Sequence, residues 1–216
     1  MTKITTILFD LDGTIVNTNE VILQSLTETL EDITGRSWTR DELLPHWGKV
    51  LRRQLVLFHP EIDLERAIAS YRERYAENHV SLLAEFPGVR PLLERLRHAG
   101  YKLGVVTSKK RAACEQTLDD IGYRALFPAV VAEEDAPRIK PAPDPLLLAA
   151  RRLGADPTEC LYVGDNPDDL IAAHAAGMGA VAVSWTLRPL RELHAENPHA
   201  MLDTPEDLWT LLCARP

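Results

Sequence analysis

The sequence is poor in cysteine, in positive charge and in long apolar runs, and each shortage excludes a class of protein. Its 216 residues include three cysteines, Cys114, Cys160 and Cys213. They are scattered, odd in number and form no CxxC pair, so they read as structural thiols of a reducing compartment. Lysine and arginine number 24 against 32 acidic residues, a net charge of −8. Nucleic acid and anionic membranes both reward a basic surface, so neither is an expected partner. The first apolar run, "ILF" at 7–9, is stopped by Asp10 and does not resemble a signal peptide. No stretch approaches the length of a bilayer span. There is no low-complexity tract and no internal repeat. A fully folded, soluble cytoplasmic protein is expected, with one sizeable core and room for a smaller accessory domain.

What the sequence does contain is alternation. "ITTILF" (4–9), "KLGVVTS" (102–108), "PAVVAEE" (128–134), "CLYVGD" (160–165) and "AVAVSW" (180–185) are short, β-rich and apolar through their middles. That is the pattern of parallel strands covered on both faces. Between them lie segments of helical periodicity that close on Gly100, Gly122, Gly154 and Gly177, the expected C-terminal stop. Strand–helix alternation predicts an α/β fold, a doubly wound, Rossmann-like parallel sheet. From about Asn17 to Glu85 no strand is expected, only consecutive helices. The predicted organisation is therefore a core of 1–16 and 86–216 with an inserted all-helical domain at 17–85. Ile15-Val16-Asn17 and Phe86-Pro87-Gly88 would be the linkers.

In an open α/β sheet, ligands bind outside the carboxyl ends of the strands. Here those ends carry Asp10 and Asp12 on the first strand, and Thr107 and Ser108 on the second. Lys140 follows the third, and Asp165, Asp168 and Asp169 follow the fourth. So many carboxylates on one edge repel one another unless a cation sits among them, and an oxygen-only donor set suits Mg²⁺. Asp10 is placed to be a nucleophile beside the metal. Asp12 would point the same way if the strand stayed extended, as an acid and then a base, with its carbonyl toward the metal. Gly13 permits a sharp turn there and Thr14 can cap it.

"FDLDGT", "VVTSK", "KPAP" and "VGDNPDDLIAAHAAG", in that order, resemble the four signature motifs of the haloacid dehalogenase superfamily of phosphotransferases. The resemblance spans nearly the whole chain, and the helical insert looks like that superfamily's small cap. It implies that Asp10 forms an aspartyl-phosphate and that Asp12 is the general acid and then the general base. Thr107, with Ser108, and Lys140 would bind phosphoryl oxygens. Asp10, Asp12 through its carbonyl, and Asp165 would hold Mg²⁺. Asp169 would be a further ligand through water, or would hold Lys140. The helix cap and the metal-facing role fall to Asp168 and Asp169, and the family spacing gives Asp169 the latter. Dehalogenases of the superfamily lack the acid/base aspartate, so Asp12 favours phosphoryl chemistry over halide displacement.

Outside the motifs, bland readings compete. Lys109 is either a substrate contact or a solvated loop residue, as Ser108 is. Thr107 could simply cap the next helix. His174 reads as a packed or partly exposed helix residue, and Trp38 and Trp47 as core of the insert. Trp185 would line the cleft or pack against "TLRPL". In "PHWGKVLRR", Gly48 would break two helices, and Lys49, Arg52 and Arg53 would share one helix face near His46, either gripping a second anionic group or facing solvent. "TNEVILQSLTETL", "LLPHWG" and "VSWTL" look like the bacterial inorganic-pyrophosphatase branch, and the phosphoglycolate-phosphatase branch has the same motifs. Asn17 stands where many relatives carry an aspartate, which keeps a helix cap but removes a charge. A small-molecule phosphate is thus the expected substrate. A phosphomutase of the same superfamily, or a receiver-like phospho-aspartate switch without turnover, are the alternatives.

Overall fold

The computed structural model describes residues 3–214. They divide into two compact units, one made of the residues up to Val16 and from Glu85 onward, the other of Asn17–Ala84.

In the first unit the described residues form a six-stranded sheet. Its strands are β1 (Thr6–Phe9), β4 (Lys102–Val106), β5 (Ala129–Val131), β6 (Cys160–Gly164), β7 (Gly179–Val183) and β8 (Ala200–Leu202). The spatial order is β5-β4-β1-β6-β7-β8, and all neighbours are parallel. β1 is central: Thr6–Phe9 lies opposite Lys102–Val105 on one side and Cys160–Val163 on the other. Because the chain fills one half of the sheet and then crosses to the other, its topology switches at β1. β8 was not foreseen. "AML" is too short to show a period, and it becomes a strand only because β7 offers it an edge.

The five expected strands are apolar on both sides because both sheet faces are covered. Successive side chains point to opposite faces. Leu8, Val106 and Tyr162 join the cluster of α7 (Asp144–Leu153) and α8 (Pro167–Ala175), with Leu146, Ala149, Leu170 and Ala173. Phe9 and Val163 face the other way, toward Leu92 and Leu93 of α5 (Val89–His98) and Leu208 of α10 (Pro205–Cys213). Gly104, inside β4, lets α7 come close: a Cβ there would lie 2.8 Å from Leu8 Cδ2 and 3.2 Å from Leu153 Cδ1. The exposed edge at β5 is blunted by charge, since the Val130 carbonyl accepts from Arg152 Nη1 at 2.7 Å and from Arg111 Nη2 at 3.4 Å.

The second unit contains α1 (Asn19–Thr34), α2 (Arg40–Leu43), α3 (Leu51–Phe58) and α4 (Leu64–Leu82). α1 and α4 are joined by Asn78, whose amide donates to Ser25 Oγ at 3.2 Å and Glu28 Oε2 at 3.1 Å. Trp38 and His46 both meet the Phe58 ring, and Trp47 is buried. Asn17 Oδ1 accepts the Asn19 N–H at 3.3 Å. Two expectations are corrected here. The segment is not free of strand: β2 (Val16–Asn17) and β3 (Ala84–Glu85) pair with each other where the chain passes between units. Nor do Lys49, Arg52 and Arg53 share a helix face. α3 begins at Leu51, and Lys49 lies in the turn before it, where Gly48 adopts a φ of 71°.

Because Leu8 is fully buried at the centre of the sheet, Leu8→Ala is expected to destabilise the protein by about 3 kcal/mol. Urea unfolding should show this as a lower midpoint at unchanged slope.

Candidate active site

The carboxyl end of the sheet gathers charge among buried side chains. The ladder carries Asp10 past the end of β1, because its N–H donates to the Val163 carbonyl at 2.9 Å. Asp165 follows β6 directly. Asp169 stands in the first turn of α8, whose N-terminus is capped by Asn166: its Oδ1 accepts the Asp168 N–H, while Asp169 Oδ2 accepts the Asn166 N–H at 3.0 Å. The cap is thus Asn166 rather than Asp168, and Asp169 both closes the capping box and faces the cluster. Carboxylate oxygens of Asp10, Asp165 and Asp169 lie within 4.8 Å of one another, and all three residues are buried.

Lys140 is the cation among them. Its Nζ donates to Asp169 Oδ1 at 2.6 Å, Asp10 Oδ1 at 2.7 Å and the Tyr162 hydroxyl at 2.8 Å, with the Val106 carbonyl at 3.3 Å. Burial alone would push this ammonium down, but Asp10 and Asp169 outweigh it and hold it well above the ordinary lysine value. The Tyr162 hydroxyl donates its own hydrogen bond to the Val106 carbonyl at 2.8 Å. Burial, followed by Asp169, keeps the phenol well above its usual range. Tyr162 was not foreseen as a site residue. The only signal was a hydroxyl in the middle of the apolar "CLYVG".

Three carboxylates against one ammonium leave a formal charge of −2 in a buried site. The imbalance shows in the acids. Burial pushes Asp10 well above the ordinary carboxylate range, against the pull of Lys140, and Asp169 and Asp165 add to the rise. Burial and then Asp169 push Asp165 up to about 7. An all-oxygen donor set of this charge fits a hard divalent cation. Glycine at position 13 lets the turn after β1 come close to Asp165. Gly13 has a φ of 81°, and a Cβ there would sit 2.7 Å from Asp165 Oδ2.

Asp12 belongs to a different pair. The extended conformation stops at Phe9, and the chain turns back through a bridge between Asp12 and Val16. The Asp12 carboxylate meets Lys109 Nζ at 2.9 Å, and both side chains are largely buried. Lys109 is therefore not a solvated loop residue. Thr107 is buried and its Oγ1 accepts the Lys109 N–H at 3.2 Å, so the turn carries Thr107 and Lys109 together, while Ser108 is exposed. Thr14 does more than cap a turn, since its hydroxyl donates to Asp165 Oδ1 at 3.3 Å. Trp185 donates to the Thr14 carbonyl at 3.2 Å and lies against Phe86.

The remaining expected residues stand apart. Arg52, exposed on the helical unit, pairs with Glu65 at 2.6 Å. His174 is an exposed helix residue whose ring meets His199. Cys114 and Cys160 are buried, which pushes their thiols up to about 12 and about 11, whereas Cys213 is exposed. No helix among the described residues is long and apolar enough to cross a membrane.

The family profile of haloacid dehalogenase-like hydrolases matches residues 7–183. Pyrophosphatase PpaX of Bacillus cereus strain AH820 is 39% identical over 210 residues, 97% of this chain and 97% of that protein. PpaX of Bacillus thuringiensis strain Al Hakam is equally similar over the same length. Among solved structures, a predicted phosphoglycolate phosphatase from Haemophilus somnus 129pt superposes with a TM-score of 0.88 at 27% identity, covering 98% of this chain and 99% of that one.

The raised value of Asp165 sets a pH dependence. Between the ordinary aspartate value and about 7, the metal-free folded state keeps a proton that the unfolded chain has lost, so this carboxyl's contribution to stability falls as pH rises through that window. A divalent cation takes the place of that proton. The increase in melting temperature on adding Mg²⁺ is therefore expected to be small near about pH 5 and larger near about pH 8. Equal increases at both would exclude these carboxylates as the ligands.

Proposed function

The chain belongs to the haloacid dehalogenase-like hydrolases, and we propose that it is a Mg²⁺-dependent phosphatase of a small dianionic phosphate, with inorganic pyrophosphate first and 2-phosphoglycolate second. The observation that carries the chemistry is the division of the two aspartates between two lysines. Asp10 is held on Lys140 inside the −2 cluster, and Asp12 on Lys109 beside it. One acid is thereby fixed for attack, and the other is kept apart for proton transfer.

Asp10 would attack phosphorus, forming its O–P bond as the leaving oxygen departs with a proton from Asp12. Lys109 holds Asp12 Oδ1, so the proton would travel on Oδ2. Asp12 would then take a proton from the water that cleaves the aspartyl-phosphate, regenerating Asp10. Thr107 would donate its hydroxyl to a phosphoryl oxygen, with Ser108 at the rim. The three short contacts of Lys140 are to the protein's own groups. Its first role would be to fix Asp10 against Asp169, and it would reach a phosphoryl oxygen only by giving up one of them. Asp10, Asp165 and the Asp12 carbonyl would hold Mg²⁺, which when bound neutralises phosphate and nucleophile together. The residues around 17–84 would act as the cap that selects the leaving group, with Gly48 shaping the loop and Lys49 its nearest cation. Arg52 is partly spent on Glu65.

Pyrophosphate is placed first because the PpaX pyrophosphatases are 39% identical over 97% of both chains. The phosphoglycolate reading is supported by a structural relative at 27% identity. Asp10→Asn is expected to abolish phosphate release while leaving the fold and melting temperature near wild type. Retained turnover in that variant would remove Asp10 as nucleophile. Compared by kcat/KM in Mg²⁺, pyrophosphate is expected to exceed 2-phosphoglycolate by at least about tenfold, or about 1.4 kcal/mol of transition-state binding. The opposite order would turn the second-anion site into one for a carboxylate.

A further inference from the structure

A carboxylate serves a cation well only in a fixed orientation, and Asp165 is fixed from two separate segments. Thr14 donates to its Oδ1 at 3.3 Å and Thr186 to its Oδ2 at 3.0 Å. Thr186 lies in the loop after β7, outside the strand-end residues that the sequence motifs mark. Its oxygen accepts the Arg188 N–H at 3.1 Å, which commits the hydroxyl proton to Asp165. The loop is anchored on both sides of Thr186. Ser184 N–H donates to the Leu202 carbonyl at 2.9 Å, and Arg188 Nη1 pairs with Glu192 at 3.1 Å. Between them, Trp185 Nε1 donates to the Thr14 carbonyl, so one loop grips both Asp165 and the turn that carries Asp12 and Gly13.

We infer that Thr186 is a positioning residue for the divalent cation, acting through Asp165, and that the loop Ser184–Arg188 sets how tightly the cation is held. The hydroxyl donates to the ionised carboxylate and holds its rotamer. Removing it takes away the hydrogen bond that fixes Oδ2 and the acceptor of the Arg188 N–H. The effect belongs to metal affinity rather than to phosphoryl transfer, because the Thr186 hydroxyl donates to Asp165 and accepts from a backbone N–H, and it bonds to none of Asp10, Asp12, Thr107 or Lys140. The inference rests on the reading of Asp10 and Asp165 as Mg²⁺ ligands.

The test is calorimetric titration of the full chain with Mg²⁺ alone, for wild type, Thr186→Val and Thr186→Ser. Melting temperatures of the metal-free proteins serve as the control for folding. The valine variant is expected to bind Mg²⁺ about tenfold more weakly, the usual loss when a group supporting a metal ligand is removed. Serine, which keeps the hydroxyl, is expected to restore most of the affinity, and a purely structural threonine would not give that pattern. If valine does not fold, Thr186→Ala takes its place. Wild-type binding with unchanged affinity in the valine or alanine variant overturns the inference and leaves the Mg²⁺ reading standing. Failure of wild type to bind Mg²⁺ overturns both.

Discussion

The structure depends on one electrostatic constraint: three buried carboxylates share a single ammonium. Asp10, Asp165 and Asp169 have carboxylate oxygens within 4.8 Å of one another, and Lys140 offsets part of their charge by pairing with Asp10 and Asp169. A lone buried acid would keep its proton and lose its chemistry. Burial raises Asp10 and Asp165, and the same burial strengthens each remaining interaction. The excess of negative charge and the all-oxygen donor set make this a cluster that could hold a divalent cation.

The fold supplies this arrangement cheaply. Parallel strands place their carboxyl ends on one edge, and putting β1 in the centre sets Asp10 between β4 and β6, where Thr107 and Asp165 emerge. The apolar body of the sheet resists distortion, so hydrogen bonds at its rim hold their geometry. α8 adds the third acid through its own capping box. One residue thereby serves helix formation and charge organisation together.

Much of this was legible in the sequence because it is written in local patterns. The five apolar runs, the glycine stops and the ordered motifs predicted the parallel sheet and brought Asp10, Asp12, Thr107, Lys140, Asp165 and Asp169 to one edge. Features made by distant partners were not legible. β8 exists because β7 is its neighbour. Lys109 faces Asp12 because the turn after β4 folds toward the turn after β1, 97 residues away in sequence. Lys49 left the expected helix face because Gly48 and Val50 delay the start of α3, a boundary that periodicity does not fix.

The sequence by itself determined the fold class and the chemical character of the strand ends, since apolar period and residue type are local properties. Only the tertiary structure decided which cation faces which acid, that Tyr162 supports Lys140, and that Thr14 and Thr186 hold the two oxygens of Asp165. Those pairings depend on distances of about 3 Å between segments far apart in the chain. Such distances are set by how the sheet twists and packs, and no spacing within one segment encodes them.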